Sequence, residues 1–152
     1  MTDQSIITGH VGLNVTDLDR SLDFYSQALD MEVIGRSDVD GRRYGFLGRH
    51  DLLMITLWQQ SGAPFAADRA GLHHLSFQVA DVPALNEVER RLRGLGADIR
   101  DDNGVPGELA AAGQLFCYDP DGIRLEVYAF QRPPRPPRPA TATGDGPPCG
   151  FF

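Results

Sequence analysis

Two histidines and a glutamate carry the most chemistry per residue in this chain. Gly9-His10-Val11-Gly12-Leu13-Asn14-Val15-Thr16-Asp17 resembles His73-His74-Leu75-Ser76-Phe77-Gln78-Val79-Ala80-Asp81, so His10 and His74 hold matched places in an internal repeat. Glu126, in Ile123-Arg124-Leu125-Glu126, supplies a carboxylate on a third strand-like segment. Two imidazoles and one carboxylate are a donor set for a divalent cation and leave roughly half of an octahedral shell open. Fe(II) is favoured by such a facial triad, and Mn, Ni, Co or Zn suit the same donors.

Those three residues act together only if the chain presents them on like faces. Side chains alternate across a strand, so His10, Gly12 and Asn14 point one way while Val11, Leu13 and Val15 point the other. The same count groups His74, Ser76 and Gln78, and then Arg124, Glu126 and Tyr128. Tyr128 and Arg124 can therefore hydrogen-bond an oxygen bound beside Glu126. His73 should face away from His74. In the last strand of the first repeat, Met54, Thr56 and Trp58 share the open face; Thr56, a neutral hydroxyl, is a poor ligand there. Phe116 is a candidate pocket wall, and Cys117, of opposite parity, should be a small buried hydrophobe.

Each repeat reads as a strand, a helix and three further strands. Leu18, Leu22, Tyr25 and Leu29 follow helical spacing after the cap Asp17; Leu85, Val88, Leu92 and Leu95 do so after Asp81, with Pro83 in the first turn. Strand-like stretches follow at 31–36, 43–47 and 52–58, and again at 98–101, 114–118 and 123–130. The Asp38-Val39-Asp40-Gly41 and Asp119-Pro120-Asp121-Gly122 stretches read as turns. The expected plan is α+β: module one over 6–58, a linker over 59–71, module two over 72–130, and a proline-rich tail over 131–152.

With 152 residues, 41% of them hydrophobic and 23% charged, the chain suits one ordinary domain. A net charge of −7 excludes nucleic acid and anionic membrane surfaces as expected partners. No apolar run reaches the length of a membrane helix, and the first residues lack the marks of a secretory signal, so a cytoplasmic location is expected. Cys117 and Cys149 form no closely spaced pair, so neither a disulfide framework nor a zinc-thiolate site is expected.

Over residues 6–130 the chain resembles the vicinal oxygen chelate superfamily, which includes glyoxalase I, extradiol dioxygenases, fosfomycin-resistance enzymes and bleomycin-resistance proteins. The motifs are His10-Val-Gly-Leu-Asn-Val with Asp17 and Phe24-Tyr25, His74-Leu-Ser-Phe-Gln-Val with Asp81, and Asp119-Pro-Asp-Gly-Ile-Arg-Leu-Glu126. The resemblance implies paired βαβββ modules forming a cup around a divalent metal held by His10, His74 and Glu126. It implies also a small-molecule substrate chelating that metal through neighbouring oxygens, and a homodimer.

The branches differ in particular positions. Glyoxalase I usually places a fourth ligand where this chain has Thr56. Leu72-His73-His74 is similar to the extradiol dioxygenase strand whose second His binds iron, which favours Fe(II) dioxygenase-like chemistry. That branch implies a His acid/base near the fourth strand, a place only His50 can fill, and a Tyr ten residues before the Glu, where Phe116 stands. Non-oxidative glyoxalase, isomerase or lyase chemistry is the alternative. A metal-free binding protein of the bleomycin-resistance type is the rival from another class.

Overall fold

A computed structural model describes residues 8–100 and 113–129; the expected tail, including Cys149, lies outside the described residues. The first module runs β1 (Val11–Asn14), α1 (Leu18–Leu29), β2 (Glu32–Val39), β3 (Arg42–Arg49) and β4 (Leu52–Trp58). The second runs β5 (Leu75–Val79), α2 (Val82–Gly94), β6 (Ile99–Arg100), β7 (Gln114–Tyr118) and β8 (Arg124–Ala129). Each module makes its own four-stranded sheet, ordered β1-β4-β3-β2 and β5-β8-β7-β6. In both, the first strand returns beside the last in parallel while the other pairs are antiparallel.

The helix starts are where the cap residues put them. Asp17 accepts from the Arg20 N–H at 3.1 Å and Asp81 from the Ala84 N–H at 2.9 Å, each satisfying a donor that the first helical turn leaves open. Leu18, Leu22 and Tyr25 of α1, and Leu85, Val88 and Leu92 of α2, are buried against the odd-numbered strand residues Leu13, Leu57, Leu125 and Val127. Leu95 departs from expectation: α2 ends at Gly94, and Leu95, no longer on the helical stripe, is exposed.

The β2–β3 connection is tighter than expected, with β2 continuing to Val39 and only Asp40 and Gly41 turning at φ of 54° and 71°. Two successive left-handed residues match the twist of paired strands, and Asp and Gly adopt them readily. The 59–71 stretch forms neither helix nor strand.

The modules meet through the helices and through the β7–β8 turn. Asp121, almost fully buried, accepts from the Thr16 N–H at 3.0 Å, from the Thr16 hydroxyl and from the Arg20 guanidinium at 2.8 Å. Asp119 accepts from the Tyr25 hydroxyl at 2.9 Å and from the backbone N–H groups of Asp121 and Ile123. Burial raises the Asp119 pKa above the ordinary carboxylate value, against the pull of those donors. The turn motif thus grips the first module.

Candidate functional site

The β5–β8 pair sets the geometry of the second module's open face. Its register puts Ser76 beside Glu126 and Gln78 beside Tyr128. Leu125, Val127 and Ala129 are buried, and the alternate residues Arg124, Glu126 and Tyr128 are half-buried on the other face, as strand parity requires. His74 lies just before β5, and its Nε2 stands 3.4 Å from Glu126 Oε2. The Ser76 hydroxyl donates to the same carboxylate oxygen at 2.7 Å, and the Tyr128 hydroxyl donates to Gln78 Oε1 at 3.1 Å. Across the sheet Phe116 is paired with Glu126 and buried, with the Arg124 guanidinium 4.4 Å above its ring.

His73 does not face away from His74. The chain bends at His73, two residues before β5 begins, so strand alternation does not govern the pair. Their rings lie at 77° to one another, and the two Nδ1 atoms approach to 2.7 Å.

The first module's open face is aromatic. Gly12 and Thr56 are register partners, and a Cβ on Gly12 would come within 3.3 Å of Thr56 Oγ1, which fixes both on that face. Thr56 is buried and accepts from Trp58 Nε1 at 3.1 Å; Met54 is partly buried beside the core. The Trp58 ring packs 4.9 Å from Tyr44, which stacks 5.2 Å from Phe46. Tyr44 and Phe46 join the expected wall residues, and their i, i+2 spacing in β3 was the signal that could have found them.

His10 is exposed immediately before β1. His50 is exposed at the tip of the β3–β4 turn, where it and Asp51 take φ of 49° and 64°. Among the described residues, no set of three or more His, Cys, Asp or Glu side chains within one chain is placed to hold a metal ion. The structure brings His74 and Glu126 together, with Ser76 on the carboxylate, and does not bring His10 to them. An imidazole nitrogen and a carboxylate oxygen 3.4 Å apart fit a shared divalent cation, whose bonds to such donors are about 2.0–2.2 Å. Ser76, which donates to the Glu126 carboxylate, and His73, whose ring meets that of His74, were absent from the expected site.

A separate cleft of about 390 Å³ lies between α1 and the turn after α2, lined by Arg20, Phe24, Leu95 and Tyr118 among others. None of the expected site residues lines it. Cys117 is buried as expected, and burial pushes its thiol up to about 12.

A family model described as the Glyoxalase/Bleomycin resistance protein/Dioxygenase superfamily matches residues 7–127. A putative lactoylglutathione lyase of Brassica oleracea var. gemmifera is 28% identical over 134 residues, covering 84% of this chain and 45% of the relative. A catechol-2,3-dioxygenase of Bacillus subtilis (strain 168) is 27% identical over 129 residues, covering 80% of this chain and 40% of the relative. The chain thus spans less than half the length of these relatives. Among solved structures, a glyoxylase/bleomycin resistance protein/dioxygenase domain from Frankia sp. EAN1pec superposes with a TM-score of 0.70 at 28% identity, over 86% of this chain and 96% of that one. The fosfomycin resistance protein FosX of Listeria monocytogenes, solved with Mn(II) and sulfate, shares the fold with a TM-score of 0.61 at 20% identity, over 84% and 96% of the two chains.

Proposed function

The chain belongs to the glyoxalase/bleomycin resistance protein/dioxygenase superfamily, and from that premise we propose that it is a metal-dependent enzyme acting on a small molecule with two adjacent oxygens. The observation that carries this reading is the convergence of His74 Nε2 and Ser76-bound Glu126 on one face of the second sheet. His10 completes the donor set from a second copy of the chain, because it stands apart from the pair within one chain and is exposed beside the edge strand β1. The functional unit on this reading is a homodimer of one 6–130 domain per chain.

His74, Glu126 and the His10 of a second copy would hold the divalent cation, Fe(II) being the favoured ion, and it would supply Lewis-acid polarisation of two neighbouring substrate oxygens and, as Fe(II), dioxygenase-like redox chemistry. The protein's own groups do the rest. Ser76 fixes the rotamer of Glu126, so the carboxylate enters the site preorganised. Tyr128, two residues along the same face, holds a proton on its hydroxyl, pointed at Gln78 and placed to exchange partners with a bound oxygen. Arg124 adds a fixed positive charge beside that face. Met54, Thr56 and Trp58 share a sheet with β1, so on this reading they wall the site from the same second copy that supplies His10.

A non-oxidative lyase or isomerase reading is favoured by one feature: Phe116, directly across from Glu126, has no hydroxyl to move a proton during ring cleavage. His50 lies at an exposed turn tip, away from the His74 and Glu126 pair on the other module, so its acid/base role requires the second copy as well.

Anaerobic purification followed by metal analysis tests the proposal, with His74→Ala and Glu126→Gln variants alongside. One metal per chain in the wild type, lost in both variants, is expected. Oxygen uptake with catechols then separates the oxidative reading from the non-oxidative one. Full small-molecule binding without metal would replace the enzyme reading with a sequestering protein.

A further inference from the structure

The metal assignment of His74 leaves its other ring nitrogen to be explained. Resting on that assignment, we infer that His73 is a positioning residue that holds His74 in the Nδ1–H tautomer, leaving Nε2 as a lone-pair donor toward Glu126. The two Nδ1 atoms are 2.7 Å apart, a distance that requires a proton between them. A neutral imidazole carries a single N–H, and His74 has two places to spend it. At Nε2 the partner would be Glu126 Oε2, at 3.4 Å, beyond the usual 2.7–3.2 Å range for N–H···O and already receiving the Ser76 hydroxyl at 2.7 Å. At Nδ1 the partner is much closer. The proton belongs on Nδ1 of His74, and His73 accepts it as the Nε2–H tautomer.

The device depends on local backbone. Adjacent residues of a straight strand would point to opposite faces. The bend at His73 turns its ring back onto that of His74, with centroids 5.0 Å apart and planes nearly perpendicular. Ligating histidines commonly donate their second N–H to an acceptor that fixes tautomer and ring orientation, and loss of such a partner costs 10–100-fold in metal affinity. Here the acceptor is the preceding residue of the same chain.

The test uses the full-length protein in two states. In the metal-free state, ¹⁵N imidazole NMR of its four histidines reports the tautomer of His74 directly. The wild type should show Nδ1–H, His73→Ala should lose that preference, and His73→Asn should restore it, because the Asn Oδ1 occupies the position of the His Nδ1 and accepts. In the second, Zn(II) affinity is measured by competition with a chromophoric chelator: His73→Ala should bind about 10–100-fold more weakly, and His73→Asn within a few-fold of wild type. His73 is exposed, so thermal unfolding of both variants should match wild type. An Nε2–H His74 in the wild type, or unchanged Zn(II) affinity in His73→Ala, overturns the inference. Unchanged affinity in His74→Ala instead overturns the metal reading on which it rests.

Discussion

The Tyr25 hydroxyl, on a fully buried side chain of the first module, donates at 2.9 Å to the Asp119 carboxylate of the second. Ninety-four residues separate the two, yet they form a contact in the core between modules. Asp119 is also the residue whose backbone bonds shape the β7–β8 turn, so one carboxylate both folds the turn and joins it to α1. The strand that turn launches is the one that carries Glu126.

Replacing Tyr25 by Phe keeps the ring and deletes the bond. Asp119 retains its two backbone donors, so the expected loss is about 1.5–3 kcal/mol of stability, the range for a hydrogen bond to a charged group. Asp121→Asn removes the charge that faces Thr16 and Arg20; with Arg20 half exposed, a loss of about 1–3 kcal/mol is expected. Urea unfolding checks both. Near-zero change in both variants would mean that the modules are held together by apolar packing alone.

Alkaline pH should unfold the protein earlier than its surface charge suggests. The Cys117 thiol is raised from an ordinary 9.0 to about 12 by burial, with Asp119 adding to the shift. Burial and the Asp119 carboxylate hold the Tyr25 phenol well above its ordinary 10.0 in the same direction. Both folded pKa values are raised, so their stabilisation is complete below pH 9. For the thiol, the unfolded chain gives up its proton first above that pH, and stability falls by about 1.4 kcal/mol per unit until about pH 12. Cys117→Ala should flatten this slope relative to wild type in unfolding measured from pH 8 to 11.

Two glycines of β3 separate packing against side chain from packing against backbone. A Cβ on Gly45 would lie 2.8 Å from Leu22 Cδ2, which can move aside, so Gly45→Ala should cost about 1–3 kcal/mol. A Cβ on Gly48 would overlap the Leu52 carbonyl oxygen, and only a shift of the β3–β4 turn backbone relieves it. Gly48→Ala should lie at or above the top of that range. Equal melting temperatures for the two variants would contradict this ordering.

How far the sequence reached can be argued from the residues themselves. Helix starts were legible at Asp17 and Asp81 because capping is a local interaction, and the open face of β8 was legible because alternation needs only a regular strand. His73 was misplaced because it lies before β5, where a bend replaces alternation. The Asp119-Pro-Asp-Gly stretch read as a turn, but its grip on Thr16, Arg20 and Tyr25 is a contact between modules, which no local pattern encodes. The separation of His10 from His74 belongs to the same class: repetition shows that the two are equivalent, not that one chain brings them together.

That separation yields the sharpest prediction. If His10 of one copy completes the His74 and Glu126 site of another, a dimer of His10→Ala with Glu126→Gln chains holds one site with all three donors and one site lacking two. Neither variant alone should bind Zn(II) at wild-type affinity. Mixed in equal amounts and allowed to exchange subunits, they should recover about a quarter of the wild-type sites, the fraction random pairing gives for a two-fold dimer. Native mass spectrometry confirms the mixed species and a chelator titration counts the sites. A mixture that contains the heterodimer yet binds no metal would place His10 in its own chain's site or in none, because only donation across subunits lets two defective chains restore each other.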